Sequence, residues 1–223
     1  MCGATFAATA TASPRPRHVV DDLVDDVVEL LDELEVQRAH FVGLSLGGMT
    51  GVRPAALSPE LVDRPAVLCA PALLGPSQAW HNCAAMLRQE GTSTVVGRWH
   101  TTPFAASVAA RVLAARQLAA ATPTEGCASR CEAIATMDLT EELVNVAVPI
   151  LAIAGAEDPA TSAYHLERVA SGVRDGRPLG VPKAPHLAND EQPQAVTRVL
   201  PKHLTGDHHN VRVATRHTSG RVR

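Results

Sequence analysis

Aromatic side chains are scarce in this 223-residue chain, where they make up only 3% of the residues. The core must therefore be built from leucine, valine and alanine, and the 46% of hydrophobic residues suffices for one globular domain. Neither sign of charge is in large excess, with 20 lysines and arginines against 23 acidic residues. The formal net charge is only −3, which gives no reason to expect nucleic acid as a partner. No apolar run approaches the roughly 20 residues of a membrane span, so no membrane partner is predicted.

The cysteines do not indicate a disulfide framework. There are five, irregularly spaced and without a secretory signal before them, so reduced thiols and a cytoplasmic location are expected. Cys127 and Cys131 could share one face of a helix, but a metal site there would need two more ligands, and the sequence offers none nearby. Packing is the favoured role for this pair, and no metal is predicted.

Strands and helices alternate along the chain. Residues 19–34 have apolar positions at helical spacing opposite an acidic face. Apolar runs predict strands just before Ser45 and at 66–70, 148–154 and 179–181, the last flanked by prolines and tolerable only at a sheet edge. Further helices are predicted at residues 48–57, where Pro54 should kink or shorten the helix, and at 78–89, 104–121, 130–137, 162–171 and 191–204. This alternation favours an α/β fold with a mostly parallel sheet, in which ligands gather at the carboxyl ends of strands.

The same pattern suggests how the domain is organised. Residues 76–147 show helical segments and no clear strand, which is typical of a helical cap inserted between two strands. We predict core segments at 19–75 and 148–204 on either side of that cap. Residues 1–18 and 205–223 are expected to be disordered tails.

The most informative motif is Gly-x-Ser-x-Gly at residues 43–47, between an apolar run and a predicted helix. In a nucleophile elbow the strand stops abruptly, the serine occupies a strained turn, and the glycines let strand and helix approach closely. Ser45 would then be a nucleophile, and the N–H of Leu46 would donate to an oxyanion. The alternative is a glycine-rich turn with a surface serine, and the flanking strand and helix favour the elbow.

A serine nucleophile needs a base, and the base needs an orienting acid. After an elbow the expected chain order is serine, acid, histidine. Asp158 follows the strand at 148–154 and is preferred to Glu157 because Pro159 favours a fixed turn; alternatively, both acids cap the next helix. Of the ten histidines, only His186 lies in a loop at the expected end of a strand downstream of Asp158, although it could be a solvent-exposed loop residue.

With these residues placed, the chain resembles the 3-oxoadipate enol-lactonases, a branch of the α/β-hydrolases. The resemblance covers roughly residues 19–204. The segments that carry it are 39–49, 74–76 with Trp80, 98–99, 131–134, 137–139, 154–161, 186–189 and 191–193. The elbow and triad are shared by many hydrolases, whereas the cap segments indicate this branch.

The resemblance implies an enzyme that opens an enol-lactone to 3-oxoadipate without a cofactor. Ser45 would attack the lactone carbonyl, and His186 would take its proton and later activate water. Asp158 would hold the imidazole and stabilise its charged form. The partner would be a small-molecule lactone.

The substrate of that family carries a free carboxylate, which a cationic group would help to orient. Arg98 is the candidate, with Trp80 and Trp99 as pocket walls. The alternatives are that the aromatic residues belong to the core and that Arg98 is merely solvated.

The chain also departs from the family pattern. The family has four strands before the elbow, whereas about 40 residues precede it here and offer one helix. We therefore expect a partial, N-terminally truncated α/β-hydrolase fold that lacks the first strands and the loop with the second oxyanion donor. The elbow strand would be left as an apolar edge. Another esterase or a cofactor-free perhydrolase of the same fold is one alternative function; a non-catalytic remnant or binding module is the other.

Overall fold

The computed structural model describes residues 20–92 and 100–206, apart from the side chain of Arg116. Within these residues four strands form one parallel sheet in the order β1-β2-β3-β4, so the predicted α/β architecture is confirmed. The strands are β1 Ala39–Leu44, β2 Val62–Leu68, β3 Ile150–Gly155 and β4 Gly176–Val181.

Helices connect these strands, and none that the structure describes is long and apolar enough to cross a bilayer. The helices are α1 Val20–Glu33, α2 Leu46–Leu57, α3 Ser77–Glu90, α4 Thr102–Ser107, α5 Ala109–Ala121, α6 Thr124–Thr136, α7 Ala163–Gly172, α8 Ala188–Glu191 and α9 Pro193–Thr205. A short 3-10 helix spans Leu143–Asn145.

Four helix predictions need correction. The helix predicted at 130–137 is α6, which begins at Thr124. The segment 104–121 is broken at Val108, whose φ of −127° and ψ of 42° end α4 before α5 begins. The segment 191–204 is split because Pro193, at the first position of α9, starts a new helix after the short α8. Pro54 does not end α2, which continues to Leu57 with most of its residues buried, so packing offsets the backbone hydrogen bond that proline cannot make.

The two edges of the described sheet are β1 and β4. β4 is longer than the predicted 179–181 and accommodates Pro178, as an edge strand can, because it pairs on one side only. On the other edge, no strand precedes β1 within residues 20–92, and Val42 of β1 is 47% exposed. The apolar edge expected beside the elbow is therefore present in the described part of the chain.

Buried side chains cover both faces of the sheet, as the alternation along β3 shows. Ile150, Ala152 and Ala154 pack in the cluster that contains α2 and α7, whereas Leu151 and Ile153 pack in the cluster that contains α9. Successive residues of a strand point to opposite faces, so a strand covered on both sides is apolar throughout. This is why β3 reads as an unbroken hydrophobic run.

The helices α3 to α6 lie between β2 and β3 in the chain, where a helical cap is predicted. α3 and α6 pack through a small apolar cluster of Ala84, Leu87, Ala128 and Cys131. The Sγ atoms of Cys83 and Cys131 are 3.6 Å apart in this interface, which agrees with a packing role for Cys131. The boundaries of the cap remain a prediction.

The core of α2 offers a direct stability test with a matched control on the same helix. Met49 is fully buried, so Met49→Ala is expected to lower the free energy of unfolding by about 2–5 kcal/mol. Leu57 is 59% exposed, so Leu57→Ala should change it by no more than about 0.5 kcal/mol. Urea unfolding measures both, and equal effects would contradict this packing.

Candidate active site

Ser45 is the single residue that separates the end of β1 from the start of α2. Its φ of 52° and ψ of −124° put a non-glycine residue in a strained backbone conformation. Its N–H donates to the carbonyl of Leu68 at 2.8 Å, and its carbonyl accepts the N–H of Met49 at 3.0 Å. The strand, strained serine and helix that the sequence predicts are therefore all present.

Two glycines allow this turn because a side chain would have no room. A Cβ at Gly43 would lie 2.4 Å from the carbonyl oxygen of Gly47. A Cβ at Gly48 would lie 2.5 Å from the Cβ of Ala70. The strand and helix of the elbow therefore approach closely at Gly43, as the motif predicts, and at Gly48, which lies just outside the motif. The expected close approach at Gly47 is wrong, because a Cβ at Gly47 would meet no described residue outside its own helix turn.

Asp158 lies in the turn after β3, and its carboxylate is completely shielded from solvent. The N–H groups of Ala160 and Thr161 donate to its Oδ1 at 2.8 and 3.1 Å, and the hydroxyl of Thr161 donates to its Oδ2. Glu157, the competing acid, is exposed. Of the two acids, the structure buries and hydrogen-bonds only Asp158, and a buried carboxylate needs such donors.

His186 lies beside that carboxylate. Its Nδ1 donates to Oδ2 of Asp158 at 2.7 Å, and its side chain is only 15% exposed. The loop that precedes His186 packs against the turn that carries Asp158. The N–H of Glu157 donates to the carbonyl of Ala184 at 2.9 Å. A Cβ at Gly155 would lie 2.1 Å from the carbonyl oxygen of Pro185, so the two backbones approach closely there. The predicted acid and base are thus brought together.

The hydrogen bonds decide the charge of the acid. Burial by itself raises the pKa of Asp158, but hydrogen bonds from His186, Thr161 and Ala160 outweigh burial and hold that pKa at about 2. Asp158 is therefore ionised at neutral pH. An ionised carboxylate on Nδ1 fixes the imidazole tautomer that leaves Nε2 free to act as a base.

Cys69 is a neighbour of this pair that the sequence reasoning missed. It follows β2 directly, is fully buried and has a left-handed φ of 47°; its N–H donates to the carbonyl of Ile153 at 2.8 Å. Its Sγ lies within 4.8 Å of ligand atoms of both Asp158 and His186. The signal in the sequence is its place near the carboxyl end of the apolar run at 66–70, since ligands gather at such ends.

These three side chains could in principle hold a metal ion, but their chemistry does not favour one. A metal binds the thiolate form of cysteine. Burial, followed by the nearby charge of Asp158, raises the pKa of Cys69 to about 12. Both carboxylate oxygens of Asp158 already accept hydrogen bonds. The group fits an orienting acid and its base better than a metal centre.

The other predicted site residues are an oxyanion donor and three candidate pocket residues. Leu46 is the first residue of α2, where an N–H has no intrahelical partner, so it can donate to an oxyanion. Trp80 donates its indole N–H to the carbonyl of Leu74 at 3.0 Å and packs against two apolar clusters, which indicates a structural role. Arg98 and Trp99 lie outside the described residues.

The molecule also has an open groove of about 530 Å³, lined in part by Leu73, Tyr164 and Arg168. None of the candidate triad residues lines it. Nearby, the Ser162 hydroxyl and His165 Nδ1 are 3.1 Å apart, but this pair is exposed and only three residues apart, at the start of α7. The buried pair of Asp158 and His186 therefore defines the candidate site.

The chain matches the model of the alpha/beta hydrolase family over residues 2–199. It is 34% identical over 204 residues to 3-oxoadipate enol-lactonase 2 of Acinetobacter baylyi, covering 90% of this chain and 76% of that protein. The crystal structure of an enol-lactonase from Burkholderia xenovorans aligns with a TM-score of 0.83 and 31% identity over 86% of this chain and 75% of that chain. A putative non-heme bromoperoxidase, BpoC of Mycobacterium tuberculosis, aligns with a TM-score of 0.72 and 25% identity over 90% of this chain and 78% of that chain.

These matches, together with the sheet and the elbow, show that the chain belongs to the alpha/beta hydrolase family. It is a hydrolase, and within that family its resemblance to the 3-oxoadipate enol-lactonases is confirmed. The family match begins at residue 2, earlier than the residue 19 at which the resemblance was expected to start. Residues 2–18 therefore belong to the matched region, although they lie outside the described residues.

The close approach at the elbow predicts opposite outcomes for two neighbouring glycines. Gly48→Ala should lower the free energy of unfolding by about 1–3 kcal/mol, because the new methyl group would overlap Ala70. Gly47→Ala should be tolerated, since no atom of the described residues outside the local helix backbone lies within 4 Å of a Cβ at this position. Thermal melts of both variants test this; the reverse order of stability would contradict the elbow geometry.

The lowered pKa of Asp158 predicts a pH dependence of stability. Because its pKa falls from 3.8 to about 2 on folding, the stabilisation is present above about pH 4 and is lost as the pH falls through about 2. Between about pH 4 and about pH 2 the free energy of unfolding of the wild-type protein should fall by about 2 kcal/mol more than that of the Asp158→Asn variant. Urea unfolding at each pH measures the difference, and parallel curves would contradict the charged pair.

Proposed function

We propose that this chain is a serine hydrolase that opens 3-oxoadipate enol-lactone or a close relative to the keto acid. The observation that carries the proposal is the buried hydrogen bond of 2.7 Å between His186 and Asp158. This pair and the strained Ser45 both lie at the carboxyl ends of strands in one parallel sheet, where they can act together. The names of the matched enol-lactonases support the substrate class.

In the proposed reaction Ser45 Oγ attacks the lactone carbonyl while Nε2 of His186 takes the hydroxyl proton. The charge that develops on the carbonyl oxygen is stabilised by the N–H of Leu46. Asp158 keeps its negative charge and stabilises the imidazolium. The ring C–O bond then breaks, and His186 returns the proton to the departing oxygen. This leaves an enol that is still attached to Ser45 through the acyl ester.

Water completes the cycle by the same steps. His186 takes a proton from water, and the hydroxide attacks the acyl ester of Ser45. The serine oxygen leaves and is reprotonated by His186, so the enzyme is regenerated. The released enol tautomerises to the ketone. The proton that the enol oxygen gains comes from Ser45, the proton that restores Ser45 comes from water, and the imidazole carries both, so the proposed reaction needs no cofactor.

We also propose which residues orient the substrate. Arg98 is proposed to pair with the free carboxylate and Trp99 to form a pocket wall, whereas the indole of Trp80, bound to the carbonyl of Leu74, supports the fold of the cap. A cytoplasmic location is proposed because the four cysteines of the described chain are free.

The nucleophile can be tested against a second serine that also contacts a histidine. Wild-type protein should be labelled by a fluorophosphonate probe and should turn over the enol-lactone, whereas Ser45→Ala should abolish labelling and lower kcat on the order of 10⁶-fold. Ser162→Ala should leave both unchanged, because the contact of Ser162 with His165 is exposed and lies outside the candidate triad. Mass spectrometry of the labelled peptide identifies the serine.

The other outcomes separate the alternative functions. Folded wild-type protein that is not labelled would contradict the proposal and indicate a non-catalytic member of the family. Labelling at Ser45 with turnover of simple esters but not of the enol-lactone would favour an esterase. Peroxide-dependent chemistry with acetate would favour a perhydrolase, an alternative supported by the likeness to BpoC.

A further inference from the structure

Two acidic residues stand immediately after the loop that carries His186, and both bind the cap. Asp190 and Glu191 end α8, and their backbone N–H groups donate to the carbonyl of Leu187 at 2.9 and 3.1 Å. Leu187 directly follows His186. The acidic side chains are therefore anchored within one helical turn of the proposed base.

Two side chains of the cap donate hydrogen bonds to Asp190. His100 Nε2 donates to its Oδ2 at 2.9 Å, and Arg111 donates to its Oδ1 and to its backbone carbonyl, the latter at 3.1 Å. Phe104 links these two donors, since its ring stacks on the imidazole at 5.5 Å and lies 5.3 Å from the guanidinium carbon. Asp190 is therefore the common acceptor of a compact group of cap side chains.

Glu191 makes the second half of this attachment. The N–H of Thr101 donates to its Oε1 at 2.6 Å, and the hydroxyl of Thr101 donates to its Oε2 at 2.8 Å. The same hydroxyl caps α4 by accepting the N–H of Phe104 at 3.4 Å. The start of α4 and the end of α8 are thus joined by a two-point contact.

The imidazole of His100 shows that this contact is built into the fold. Its side chain is only 4% exposed, and its Nδ1 is buried without a hydrogen-bond partner among the described residues. The tautomer with hydrogen on Nε2 fits best, because it donates to Asp190 and leaves only an acceptor unpaired. A buried ring with one polar partner depends strongly on that partner.

Apolar packing holds this part of the cap only weakly. We call residues 100–121 the cap hairpin; none of the residues of α4 is buried, and Val112 is buried in α5. Leu113 and Leu118 of α5 are 55% and 67% exposed. Since a helical pair normally docks by its apolar face, the polar contacts with α8 must supply much of the attachment.

We propose that Asp190 and Glu191 are positioning residues, which fasten the cap hairpin to the loop of His186 and so hold the imidazole in place. The inference rests on the proposed function, because it assigns the consequence to the proposed base. Neither acid touches the reacting atoms. Each acts through the backbone of Leu187 on one side and the cap hairpin on the other, so a loosened hairpin also loosens His186.

The variants Asp190→Asn and Arg111→Met test the proposal. Each should lower kcat for the lactone and the rate of fluorophosphonate labelling at Ser45 by about 3- to 10-fold, the equivalent of one lost hydrogen bond. The double variant should be no slower than the slower single variant, because the two residues act through one contact. The matched control is Glu125→Gln, which removes a carboxylate that binds Arg88 elsewhere in the cap and should change neither rate.

Hydrogen exchange of the same proteins separates this proposal from the proposed function. In Asp190→Asn, exchange should rise together in residues 100–121 and 182–191 while circular dichroism stays unchanged. Faster exchange in the hairpin alone, or a rise in KM without a fall in kcat, would overturn the positioning role. Wild-type protein that is not labelled would contradict the proposed function, and the exchange measurement would then decide whether the two segments are coupled.

Discussion

The site depends on one buried charge, the carboxylate of Asp158. A carboxylate without access to water is costly unless every lone pair has a donor. Here the donors are Ala160, Thr161 and His186, two of them from the turn of Asp158 itself. The need to satisfy this carboxylate fixes the turn and the imidazole at the same time. The orientation of the proposed base is thus a consequence of burying the acid.

The parallel sheet explains how residues far apart in the chain reach this place. Parallel strands end at one edge, and backbone hydrogen bonds join neighbouring ends: Ser45 to Leu68, and Cys69 to Ile153. The elbow, the buried thiol and the acid turn are therefore held in fixed order along that edge. The cap hairpin adds a second restraint, because it binds the segment directly after His186.

Much of this arrangement could be predicted from the sequence because it depends on local patterns. A continuous apolar run predicted β3, and glycine spacing predicted the elbow. Features that depend on distant contacts were missed. In the sequence Cys69 lies inside the strand predicted at 66–70, and the attachment of Asp190 to His100 joins residues 90 positions apart. The break at Val108 was missed because alanine-rich sequence on both sides of it favours helix.

We propose above all that Ser45, His186 and Asp158 act as a unit. The most direct measurement is a crystal structure of the protein after reaction with a fluorophosphonate. We expect the phosphorus to be bonded to Ser45 Oγ, with Nε2 of His186 within about 3 Å of the adduct and Nδ1 still bound to Asp158. An adduct on another residue, or an imidazole turned away from Ser45, would contradict the account.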